Sequence, residues 1–315
     1  MTTLLEAPPS LPAERLQTTM SAVRLSFTWF GTRKTLSNEQ KAQAADTFGA
    51  EGPFLSAGKK LLDTRDARYR TVTAVRTQAI AYWKSVSLPY PEPGLRLIPH
   101  AGVTPFAERM ERHREQLRQA VRVLESSLPE LRAQARERLG RLYNPADYPD
   151  SLMGEFDLSW EFPSVEPPDY LRQLAPELYE RECQRVRGRF EEAVALAEQT
   201  FLEEFAKLVT HLTERLSGDD DGQPKVFRDS AVENLRGFFD RFRQLNVRSN
   251  DQLDQLVQQT QDILAGNPAR ALREHDTLRE RVARRLTGVQ AALDGMLVDR
   301  PRRSILRPGR VTEGV

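Results

Sequence analysis

Residues 176–216 read PELYERECQRVRGRFEEAVALAEQTFLEEFAKLVTHLTERL, about 40 residues with no proline after the first position. Leu178, Val186, Phe190, Val194, Ala197, Phe201, Phe205, Leu208, Leu212 and Leu216 recur at steps of three, four or eight, which places them along one stripe of an α-helix. At about 1.5 Å per residue such a helix is roughly 60 Å long, and its apolar stripe demands a partner. Glu177 with Arg181 and Glu203 with Lys207 stand in the acid-first i,i+4 order that suits a face left in water. The steps follow 3.6 rather than 3.5 residues per turn, so a helix of the same chain is the expected partner rather than a dimeric coiled coil.

Working outward from this helix, residues 217–224 form a polar, acidic turn, and Phe227, Ala231, Leu235, Phe238, Phe242 and Leu245 resume helical spacing. A hairpin follows as an expectation, with Phe201 and Phe205 buried against phenylalanines of the returning arm. Ser249 or Asn250 starts a further helix that Gly266-Asn-Pro268 ends, and Leu272 to Met296 reads as one last helix.

The N-terminal half has a different texture. Val23, Leu25, Phe27 and Trp29 alternate with polar residues, the period of a half-buried strand, and Phe156, Leu158, Trp160 and Phe162 repeat that pattern. The two strands are expected to pair. Ser37 with Gln40 has the form of a capping box for a short helix. Helical patterns run from about Ser56 to Ser87 and, with Thr104 as N-cap, from Pro105 to Leu142, where Pro129 predicts a kink or two helices end to end. Leu95, Leu97 and Pro99 suit a brief extended segment between them. The expected fold is therefore mainly α: long antiparallel amphipathic helices in a coiled-coil-like hairpin, with a small β element of two or three strands. The expected organisation is a flexible leader at 1–20, an α+β domain at 21–170, a helical hairpin or bundle at 171–298 and a basic disordered tail at 299–315.

Composition narrows the function classes. The 315 residues carry 46 basic and 45 acidic side chains for a formal charge of +1, so no global field draws the chain to nucleic acid or an anionic surface. Seven of the 46 basic residues are Lys, so 39 are Arg. The one cysteine, Cys183, forms no intramolecular disulfide, which together with the absence of a signal-like start or an 18-residue apolar run predicts a cytoplasmic protein without a membrane span.

No catalytic, cofactor or metal site is expected. Gly52 to Lys60 invites comparison with a phosphate loop, but Ala57 stands where a Walker A glycine belongs, Gly58 comes one residue late, and Lys60 then replaces the Ser or Thr that would reach magnesium. A glycine-containing helix start is the alternative. His100, His113, His211 and His275 lack zinc spacing, and Asp219, Asp220 and Asp221 lack the glycine and glutamate of a calcium loop. His275-Asp276 are adjacent on a helix and do not face each other. The one local nucleic-acid signal is the tail, where Arg300, Arg302, Arg303, Arg307 and Arg310 have no acid among them.

Several segments together carry a resemblance. Phe27-Thr-Trp-Phe-Gly-Thr-Arg-Lys34, Ala57-Gly-Lys-Lys-Leu-Leu62, Tyr82-Trp83, Leu97-Ile-Pro99 and Leu142-Tyr-Asn-Pro-Ala-Asp-Tyr-Pro149 resemble an uncharacterised helical protein family carried by phages, prophages and plasmids. The resemblance spans roughly residues 20–170 and brings no catalytic residues. Such families are often encoded near a MoxR-like AAA+ ATPase and a von Willebrand A-type partner. It implies a non-enzymatic scaffold or adaptor of a mobile-element assembly, acting through a protein partner or self-association. The alternative is an accessory nucleic-acid binder using the arginine tail.

Overall fold

The computed structural model describes residues 11–217 and 229–298. Among them the chain is mainly α-helical, with eleven helices, a four-stranded antiparallel sheet and a separate two-stranded ribbon. It divides into two compact units, residues 17–189 and residues 190–298 with 11–16, so that the first helix, α1 (Pro12–Thr19), and the long helix both cross the division.

In the first unit, β1 (Met20–Trp29) is the alternating strand expected from sequence, begun three residues earlier. After it come β2 (Arg33–Thr35), α2 (Asn38–Asp46), β3 (Gly58–Lys60), α3 (Ala67–Ser85), β4 (Leu88–Pro89) and β5 (Leu95–Pro99). The unit continues through α4 (Val103–Ser126), α5 (Leu128–Leu139), β6 (Phe156–Glu161), α6 (Tyr170–Leu174) and the start of α7 (Pro176–Ser217). The sheet order is β4-β5-β1-β6, with Phe27 opposite Leu158 and Trp29 opposite Phe156. The pairing of the two alternating strands thus takes the expected form, and their apolar faces pack with Tyr69 and Val72 of α3 and Phe106, Met110 and Leu117 of α4 in one core. Arg76 lies over the rings of Phe27 and Trp29, 5.1 and 4.8 Å from their centroids, a cation held by aromatic faces. Beside β1, Glu92 accepts charge contacts from both Arg24 and Arg189, at 3.4 and 3.2 Å.

Local signals succeed where the competing structure is also local. Ser37 and Gln40 form the reciprocal capping box of α2. Pro129 falls in the first turn of α5, where its missing N–H costs nothing, and the chain breaks at Ser127 into two helices end to end. Five expectations are corrected. Residues 56–66 are not helical: Gly58–Lys60 is a strand drawn out by pairing with β2, and α3 starts only at Ala67, capped by Asp66, whose carboxylate accepts from the Arg68 and Tyr69 amides. The alternative of a helix start at Gly52 to Lys60 fails for the same reason. Thr104 does not cap α4, which begins at Val103 behind Gly102. Residues 12–20, assigned to the leader, form α1 and the first residue of β1, with Leu16 and Met20 buried. Among the described residues the strands number six rather than two or three.

In the second unit, α7 is followed by α8 (Ser230–Leu245), α9 (Asp251–Leu264), α10 (Ala269–Glu274) and α11 (Asp276–Val298). Phe205 stacks on Phe238 at 5.1 Å and Phe201 meets Phe242 edge-on at 5.1 Å, burying both rings as expected. The buried stripe is wider than first read, adding Ala193, Leu202, Ala206 and Val209. Leu178 is 38% exposed and does not belong to it. The acid-first pairs do not form ion contacts: Arg181 donates to the backbone carbonyl of Glu177, and Glu203 accepts from Gln199. Asn250 caps α9 through the Leu253 amide, and Gly266, at φ +74°, closes it. The spacing predicts one helix from Leu272 to Met296, but His275 is extended and divides α10 from α11. Arg15 donates to the Val247 carbonyl at 2.7 Å, holding the connection between α8 and α9 next to Arg248, whose φ is +49°.

Among the described residues no helix is long and apolar enough to cross a membrane. The acidic turn at Asp219, Asp220 and Asp221, and Phe227, lie outside the described residues.

Candidate functional site

The segment between β1 and α3 is an excursion from the sheet. Its two strands, β2 and β3, pair antiparallel with Arg33 opposite Lys60, Lys34 opposite Lys59 and Thr35 opposite Gly58. Gly58 is required here, since a Cβ at that position would lie 3.2 Å from the Lys34 carbonyl oxygen. Six residues thus carry four cations, and cross-strand partners share a face, so Lys34 and Lys59 point one way and Arg33 and Lys60 the other. Like charges held opposite each other repel, and an anion against either face relieves that repulsion.

Asp147 supplies one. Asn144 caps the 3₁₀ turn Pro145–Asp147 by accepting from the Ala146 amide, and this turn aims the carboxylate at the ribbon. Lys34 Nζ donates to Oδ1 at 2.6 Å. Lys59 Nζ forms an ion pair with Oδ2 at 2.5 Å and donates to the Leu142 carbonyl at 2.7 Å. The Asp147 and Lys59 side chains are only 2% and 6% exposed, whereas Lys34 is 56% exposed. Burial raises the Asp147 carboxyl, but the bonds and charges of Lys34 and Lys59 outweigh it and hold the group below its ordinary value. Alongside, Tyr148 donates to the Leu61 carbonyl at 2.9 Å, and burial first of all pushes its hydroxyl up to about 12.

Three of the segments that carry the resemblance meet here: Lys34, Lys59 with Leu61, and Asp147 with Tyr148. The arrangement consumes its own chemistry. Both carboxylate oxygens and the buried amine are engaged within the chain, so the cluster acts as a pin fixing the excursion to the segment after α5. Buried pairs of this kind add little net stability and specify geometry instead. Lys59, which a phosphate loop would aim at a nucleotide, is turned inward to Asp147.

What the pin holds out is apolar. Phe48, just after α2, and Phe54, in the 3₁₀ turn Gly52–Phe54, are 81% and 86% exposed. Gly52 lets that turn approach α2, since a Cβ there would lie 3.2 Å from Ala42 Cα. Comparison with family models, with curated proteins and with solved structures finds no match to this chain.

The other residues weighed from sequence do not converge. His113 is buried, its Nδ1 3.1 Å from Gln116 Oε1, and burial above all lowers its pKa. His100, His211 and His275 are exposed on separate elements. Among the described residues no group of three His, Cys, Asp or Glu could hold a metal ion. Cys183 is half-buried and free. Arg300, Arg302, Arg303, Arg307 and Arg310 lie outside the described residues. Sequence reasoning passed over Phe48 and Phe54; the available signal was two aromatics in a Gly/Pro-containing break, matching neither a helical nor a strand period.

Proposed function

We propose that the chain is a non-enzymatic helical scaffold or adaptor that docks a protein partner through Phe48 and Phe54. The observation that carries this reading is the exposure of two phenylalanines on an excursion held by a buried charge cluster. Exposed aromatic side chains on a fixed support are the usual anchors of a protein interface, because each fills a pocket at small entropic cost. Asp46 and Glu51 flank the two rings, so the partner's cleft is apolar with a basic rim. The resemblance extends the proposal to a cytoplasmic, phage- or mobile-element-related assembly in which an AAA+ ATPase is the partner. Within it, α7 and α8 form a coiled-coil-like hairpin, a reading supported by the contacts of Phe201 and Phe205 with Phe238 and Phe242.

The test is retrieval from the native host with tagged wild-type chain and with Phe48→Ser/Phe54→Ser. A defined stoichiometric partner should be retained by the first and lost by the second, with the thermal midpoint unchanged. A partner held equally by both, or a wild-type chain that stays alone, overturns the reading. The second reading is accessory nucleic-acid binding by the arginine tail, supported by the acid-free run from Arg300 to Arg310. It requires affinity that falls steeply with salt and disappears on deletion of residues 300–315.

A further inference from the structure

The ribbon face opposite the pin has no anion of its own. Arg33 and Lys60 stand across from each other, and among the described residues no carboxylate pairs with either. Lys60 also lines a cavity of about 520 Å³ between the turn after β3 and one side of α5. The cavity is also lined by Arg65 and Arg138, both in contact with Asp63, and by Leu131, Ala135 and Leu139.

Asp63 shows that the two guanidinium groups already converge on an anion. Its carboxylate receives Arg138 at 3.0 Å and Arg65 at 3.4 Å, and the Arg65 backbone amide at 2.9 Å. That amide, ahead of the opposing effect of burial, helps hold the Asp63 carboxyl below its ordinary value, so it is ionised at neutral pH. One internal charge against three cations leaves the lining at +2.

We propose that this cavity binds a small organic phosphate monoester. The phosphoryl group lies between Lys60 and Arg138, and the organic body lies on Leu131, Ala135 and Leu139. A phosphate monoester carries close to two charges above a pH of about 6, matching the lining, and guanidinium groups offer its oxygens paired donors. The volume falls within the range of about 300 to 1,000 Å³ typical of small-molecule sites. The inference goes beyond the partner-docking reading and does not rest on it, since neither Phe48 nor Phe54 lines the cavity.

Calorimetric titration of the full chain with inorganic phosphate, a nucleoside 5′-monophosphate and the parent nucleoside tests it. The monophosphate should bind one per chain, inorganic phosphate more weakly, and the nucleoside at least about a hundredfold more weakly, since it lacks the charge the site selects. Lys60→Gln and Arg138→Gln should each weaken the monophosphate about tenfold or more, the size of one lost charged hydrogen bond. Lowering the pH from 7.5 to 5.5 should weaken it as well, because the phosphate loses its second charge. Resonance mapping on the wild-type chain serves if a variant fails to fold: shifts should centre on residues 60–65 and 131–139. Absence of monophosphate binding at about 1 mM, equal affinity for the nucleoside, or shifts centred elsewhere overturns the proposal.

Discussion

The two units solve the same problem of burying apolar surface by different means. In residues 190–298 the core comes from side chains three and four apart on successive helices, closed by a run of phenylalanine rings: Phe201, Phe205, Phe238, Phe239 and Phe242 all meet within it. In residues 17–189 the core depends on strands paired over more than a hundred positions, as Phe27 with Leu158, and on a carboxylate 113 residues from its lysine. The helical unit is held mostly by area and packing, which tolerate small shifts. The sheet-bearing unit adds register and charge, which do not, since a one-residue slip of β2 against β3 would separate Lys34 and Lys59 from Asp147.

The largest effect should come from breaking the ring cluster. Phe205 is fully buried and stacks on Phe238, so Phe205→Ala should cost about 3 to 5 kcal/mol in chemical denaturation, the transfer loss together with the cavity left behind. Hydrogen exchange should place the loss of protection in α8 and the part of α7 facing it. A cost below about 1 kcal/mol would mean that the stripe is not a packed core.

Asp147→Asn tests the other means of closure. It leaves Lys59 buried without its counter-charge, at a cost of about 3 kcal/mol, and frees the ribbon from the segment after α5. Proteolysis should then cut within residues 31–62 while the four-stranded sheet stays protected. Unchanged stability and cleavage would show that charge does not fix the excursion.

The smallest effect is one of pH. His113 is buried beside Gln116, and burial, reinforced by Arg109 and Arg112, depresses its folded pKa below the unfolded value of about 6.5. Between those two values the unfolded chain binds the extra proton, so this residue's contribution to stability falls as pH drops below about 6.5. Denaturation midpoints measured from pH 7.5 to 5.5 should decline less in His113→Gln than in the wild-type chain. Parallel declines would remove His113 as the cause.

Helix-by-helix organisation was legible wherever the deciding contacts lie within one or two turns: the stripe of α7, the capping box of α2, the stop at Gly266 and the division near Pro129. The two alternating strands were legible as well, because a period of two survives without knowledge of the partner. Phe48 and Phe54 are visible in the sequence only as residues with no period, and the pin is not visible at all, because nothing local to Lys34, Lys59 or Asp147 indicates that they meet.

By itself, then, the amino-acid order determined the helical class, the long α7, the two alternating strands and the burial of Phe201 and Phe205, since each follows from periodicity and short-range chemistry. Tertiary structure alone decided that Gly58–Lys60 is a strand rather than the first turn of a helix. It likewise decided that Lys59 faces Asp147 and that Lys60 joins Arg65 and Arg138 around a cavity. The physical reason is that local preference is worth tenths of a kcal/mol per residue, whereas cross-strand pairing and a buried charge contact are settled by groups far away in the chain.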